Sequence, residues 1–93
     1  MNVNAELVQE LRHMAKQGAS VCEMVFVIRD RLNMGNDIRL QVTVYLQAAL
    51  GLGLAELSPV SGWSFFPGGT WTRDEVEADV MPLVLRNREK WEM

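Results

Sequence analysis

His13 is the only histidine in the chain and Cys22 the only cysteine, and most chemistry that leaves a sequence signature needs such residues in company. A structural zinc site takes four Cys or His ligands, so no metal is expected here. No Gly-x-x-x-x-Gly-Lys run is present to cradle a phosphate, and Gly51-Leu52-Gly53 lacks the third glycine and the preceding strand of a dinucleotide fingerprint. It reads instead as a helix stop and restart. A nucleophilic triad would have to draw on Ser61 and His13, but Ser61 has no Gly-x-Ser-x-Gly frame and His13 occupies a polar helical position. With no pair of groups suited to sharing a proton or holding a cofactor, the chain is expected to be no enzyme and to need no cofactor.

Residue types suited to binding lie between Val60 and Asp79. Trp63, Phe65, Phe66 and Trp71 share one loop with Pro67, Gly68 and Gly69. Trp63 and Phe66 are expected to fold back as a lid on the core, while Gly68-Gly69 turns the chain into the next element. Phe65 and Trp71 either join that lid or stay exposed as anchors for a partner, because loops both close cores and carry binding. Four acids follow at Asp74, Glu75, Glu77 and Asp79. The positive end of a helix dipole accounts for Asp74 and Glu75, but its influence fades by Glu77 and Asp79. Those two form either a solvated face or part of an anionic patch that would steer a basic partner. The charge balance points the same way: residues 1–47 hold five basic and five acidic side chains, residues 48–93 four and seven, so the whole formal charge of −3 lies in the second half. The candidate partner-binding residues are therefore Phe65, Trp71, Asp74, Glu77 and Asp79.

The elements that must position these residues are helical. Leu7, Val8, Leu11, Met14 and Ala15 line one face of a helix over 4–17, with Asn4 as its amino-terminal cap and Gly18 at its end. Two further units each begin with a glycine and a capping side chain, Ser20 or Asp37, and predict helices over 20–33 and 37–50. A truncated start at 54–57 is expected to stop at Ser58-Pro59, since the residue before proline is pushed out of the helical region. Thr72 with Glu75 forms a capping box and opens a last helix over 72–91, in which Pro82 should produce a kink or a break. The result is an all-α single domain of four main helices plus a short helical turn and an aromatic-rich loop, with the third helix central. One rival reading stays open. Ile38, Leu40, Val42, Val44 and Leu46 alternate with polar residues and Tyr45 at the strand period, and Met24–Ile28 is rich in strand formers, so a β-hairpin over 24–46 is the alternative.

Ninety-three residues suffice for one domain with a thin core. The apolar stretch Val21–Ile28 falls far short of the roughly 20 residues needed to cross a bilayer, and the amino terminus has no basic segment with an apolar run behind it. A cytoplasmic chain without a membrane partner is expected, and a lone cysteine asks for no oxidising compartment. Nucleic acid is an unsuitable partner for a chain of net charge −3. The helices over 20–33 and 37–50 imitate a helix-turn-helix, but the second opens with Asp37-Ile38-Arg39-Leu40-Gln41 and offers too few cations and amides for a duplex.

The run Tyr45-Leu46-Gln47-Ala48-Ala49-Leu50-Gly51-Leu52-Gly53-Leu54, then Pro59-Val60-Ser61-Gly62-Trp63, an acid-rich helix start, Met81-Pro82 and Arg88-Glu89-Lys90-Trp91 resembles small bacterial helical proteins of unassigned function. Some of those look like immunity partners of polymorphic toxins. The resemblance covers roughly 38–91, rests on packing residues, and transfers no functional position. It implies a non-enzymatic bacterial protein. Together with the residues above, it leads to the expectation of an inhibitor or immunity protein that neutralises a basic partner such as a toxin domain. A self-associating structural or regulatory subunit is the alternative.

Overall fold

Local signals set most of the helix starts. In the computed structural model, which describes residues 3–92, the Asn4 side chain accepts hydrogen bonds from the Glu6 and Leu7 backbone N–H groups and opens α1 (Ala5–Lys16). Ser20 and Glu23 form a reciprocal capping box ahead of α2 (Val21–Leu32). The third long helix, α3 (Arg39–Leu50), starts differently: Ile38 occupies the cap position and no side chain caps it. Asp37 therefore does not cap, and burial of Ile38 fixes the start instead. The alternating pattern of 38–46 is helical, so the hairpin reading falls; among the described residues the only strand-like pairing is an isolated bridge between Trp63 and Trp71.

The proline near 58 acts opposite to expectation. Leu57 keeps helical backbone angles, and Pro59 sits in the first turn of a short α4 (Ser58–Ser61) rather than ending the turn before it. A proline lacks only an N–H that the first turn leaves unpaired anyway. Likewise α5 (Arg73–Arg86) runs through Pro82 without a break. The chain divides later, at Asn87, which separates α5 from α6 (Arg88–Trp91). The single helix expected over 72–91 is thus two.

These elements pack as an all-α bundle around Leu11, Met24, Val25, Ile28, Leu46, Leu50 and Trp91, all essentially buried. The α2 helix packs on α1, α3 and α5, whereas α3 packs on α1, α2 and α6 and leaves Leu40 63% exposed. It nevertheless shares the centre of the bundle with α2, as expected of the third helix, with Leu40 and Ala48 alone of its residues exposed. Its carboxy-terminal end is tied down from two sides. Arg12 donates from Nε to the Ala49 carbonyl and from Nη2 to the Ala48 carbonyl, each at 3.1 Å. Asn87 Nδ2 donates to the Leu50 and Gly51 carbonyls at 3.4 and 3.1 Å, and Lys90 Nζ to Gly51 at 3.3 Å. The carbonyls that a helix end leaves unpaired are satisfied by side chains from α1 and the α5–α6 junction. No helix of the described residues is long and apolar enough to cross a membrane.

Candidate functional site

Residues 62–71 form a loop closed at its base. The Gly62 carbonyl accepts from the Thr70 and Trp71 N–H groups, both at 2.9 Å, and Ser64 N–H donates to the Trp71 carbonyl at 2.8 Å. Two glycines permit this closure. A Cβ on Gly69 would run into the Trp63 carbonyl, and one on Gly62 would lie 2.9 Å from Trp71 Cδ1. The Trp71 ring thus rests against bare backbone, while 38% of the residue stays exposed.

Inside the loop Trp63 and Phe66 are buried, at 5% and 2% exposure, and close the core as expected of a lid. Phe65 joins them. It stacks on Trp63 at 4.9 Å and 24° and meets Phe26 and Phe66 edge-on at 5.4 and 5.2 Å, which leaves it half-buried. Three guanidinium groups cover this aromatic cluster: Arg29 lies 5.4 Å from the Phe26 ring and 5.5 Å from Phe65, Arg73 5.7 Å from Phe26, and Arg39 5.4 Å from Phe66. Arg39 also binds the loop backbone, donating from Nε to the Ser61 carbonyl at 2.8 Å and from Nη2 to the Pro67 carbonyl. Cation–π contacts of this kind hold rings and guanidinium groups together most effectively where water is partly excluded. The sequence reading missed Phe26, Arg29, Arg39 and Arg73. The three-residue spacing of Phe26 and Arg29 on α2 was a visible local signal, but their meeting with Phe65 is a long-range event.

The acids following the loop divide three ways. Asp74 is exposed and carries no hydrogen bond or ion pair among the described residues. Glu75 is consumed by the capping box, where its carboxylate accepts from Thr72 N–H at 3.0 Å, and that bond holds its carboxyl below the usual carboxylate range. Glu77 accepts from Arg73 Nε at 2.7 Å, and this bond in turn raises the Arg73 guanidinium further above its ordinary value. Asp79 is exposed but lies about 160° around α5 from Glu77 at 100° per residue. Of the five candidates, the structure therefore groups Trp71 with Asp74 at the amino end of α5, buries part of Phe65, pairs Glu77 internally and sets Asp79 apart.

His13 is exposed, Ser61 half-buried, and the two belong to different helices, α1 and α4. Cys22 is fully buried, and burial, then the nearby Glu77 carboxylate, pushes its thiol up to about 12, so it stays protonated and unreactive at neutral pH. Among the described residues no cavity opens, and no three His, Cys, Asp or Glu side chains gather as metal ligands. The chain matches no family model, and no match was found among curated proteins or solved structures.

Proposed function

We propose that this chain is a non-enzymatic protein-binding module that captures a basic partner, as an inhibitor or immunity protein does. The observation that carries the reading is Trp71. Its backbone is hydrogen-bonded through both N–H and carbonyl, its ring is braced by Gly62, and 38% of it still faces solvent. An aromatic side chain ordered in advance loses little conformational entropy on binding, and tryptophan is among the residue types that dominate interface energies. Asp74, exposed and unpaired three positions on, supplies a charge for a cationic partner to meet beside that ring. Phe65 acts by stiffening the loop. Glu77 and Asp79 add to the longer-range negative field of the second half of the chain, which raises the encounter rate with a basic surface.

The test is affinity capture from the cells that make the protein, followed by kinetic measurement with the purified partner. Trp71→Ala is expected to weaken binding by tenfold or more, mainly through faster dissociation. Asp74→Lys with Asp79→Lys is expected to slow association, with the difference shrinking as salt is raised. An acidic partner, or binding indifferent both to these changes and to salt, would overturn the reading.

A further inference from the structure

Proline is the residue least suited to a helix interior, yet α5 carries Pro82 within its length and continues through it to Arg86. Pro82 has no N–H, so the carbonyl of Ala78, four residues earlier, lacks its partner in the helix ladder. No side chain of the described residues donates to that carbonyl either. Ala78 and Pro82 are both exposed, and the carbonyl between them opens on the outer side of the helix. At 100° per residue, Asp74, Ala78, Pro82 and Leu85 fall within about 80° of the helix surface, opposite the buried Val76, Val80 and Val84. Asp74 is exposed, and Leu85 is 58% exposed. Met81, beside this stripe, is half-buried, and its Sδ accepts from the Val21 N–H of α2 at 3.4 Å. The two cations of α5 are taken by carboxylates within the molecule, Arg73 by Glu77 and Arg86 by Glu56. The stripe thus offers acceptors at its amino half, Asp74 and the Ala78 carbonyl, and hydrocarbon at its carboxy half, Pro82 and Leu85. None of its four side chains carries a donor.

Whatever covers this stripe takes water from the Asp74 carboxylate and the Ala78 carbonyl and must return donors to both, since a buried acceptor without a donor is costly. An ammonium or guanidinium group supplies several N–H donors and the complementary charge at once. An apolar chain or a carboxylate supplies neither. We infer that an amphipathic helix of the partner lies along this face of α5, with a lysine or arginine between Asp74 and the Ala78 carbonyl and an apolar side chain against Pro82 and Leu85. This rests on the capture of a basic partner proposed above, and it extends the contact from Trp71 and Asp74 along about 16 Å of helix. Ala78, the small residue in the middle of the stripe, lets a second helix come close. The polar and apolar halves are centred about 11 Å apart, two helical turns, so the partner's basic and apolar side chains stand about seven residues apart in its own helix. Pro82 has a definite part in this contact: it keeps the Ala78 carbonyl free.

The probe is a short synthetic amphipathic helix of leucine and lysine, with its leucine–glutamate counterpart as control. The leucine–lysine peptide is expected to bind, with NMR amide shifts centred on Asp74, Ala78 and Leu85, and the control is not. Pro82→Ala restores an N–H for the Ala78 carbonyl, so it should raise the urea midpoint and yet weaken peptide binding about threefold or more. A proline with a merely structural role would not separate the two effects in this way. Leu85→Gln should weaken binding by about the same factor while the urea midpoint stays close to wild type. Shifts confined to other surfaces, or an affinity indifferent to both variants, would overturn the inference. Trp71→Ala, measured alongside, separates it from the wider reading: a lysine peptide that needs Trp71 but neither Pro82 nor Leu85 removes only the docking on α5. Equal binding of the two peptides removes the docking on α5 and the preference for a basic partner together.

Discussion

Burial changes what Cys22 can do more than its neighbours in sequence suggest. In the unfolded chain the thiol loses its proton near its ordinary 9.0, whereas in the folded chain desolvation, with Glu77 as the next cause, holds it until about 12. A proton retained by the native state and released by the unfolded one stabilises the fold below pH 9 and ceases to do so as pH climbs toward 12. The loss is at most about 1.4 kcal/mol per pH unit. Cys22→Ala removes this dependence, so the stability gap between wild type and variant should narrow from pH 9 to pH 11 in urea titrations. A gap that stays constant would show that the thiol is not shielded. At this scale the candidate site was half legible. Trp71 and Asp74 stand where a loop followed by an acid-rich helix start implies, but the fate of Phe65 depended on Phe26 and Arg29, some forty residues earlier. No spacing within the loop reports such a neighbour.

Helix ends show the same division between local and distant causes. Asn4, Ser20 and Thr72 were readable because a cap and its bonded N–H groups lie within three residues. Asp37 was misread because Ile38, drawn into the core, sets the start of α3 without help from a polar side chain. The alternation over 38–46 was ambiguous for a physical reason: α3 carries apolar Leu40, Val44 and Ala48 among its less buried residues as well as an apolar buried side, so neither period stood out. The division at Asn87 was invisible, since what stops α5 there is a pair of carbonyls at the end of a different helix. Asn87 is 9% exposed and bonds the Leu50 and Gly51 carbonyls. Asn87→Ala should therefore destabilise the protein by about 1–3 kcal/mol, the cost of leaving the buried Leu50 carbonyl without this donor while Gly51 keeps Lys90. A denaturant midpoint equal to wild type would mean that water satisfies that carbonyl equally well.

For the whole molecule, a small domain has little reserve. Trp91 is 1% exposed, and its Nε1 donates to the Val84 carbonyl at 2.9 Å, so one side chain both fills the core and fastens α6 to α5. Trp91→Ala should cost about 3–5 kcal/mol, a large share of the 5–15 kcal/mol typical of a domain. Calorimetry should then show a broadened transition or none near room temperature; a sharp transition within a few degrees of wild type would contradict this view of the core. The three tryptophans have a further consequence, which belongs to spectroscopy. Trp63 and Trp91 are 5% and 1% exposed whereas Trp71 is 38% exposed, so a collisional quencher such as iodide or acrylamide reaches one indole well before the other two. The emission of the folded protein should split into an accessible fraction and a shielded one. The accessible fraction reports on the amino end of α5, and any molecule settling there would announce itself in the protein's own fluorescence without an attached dye.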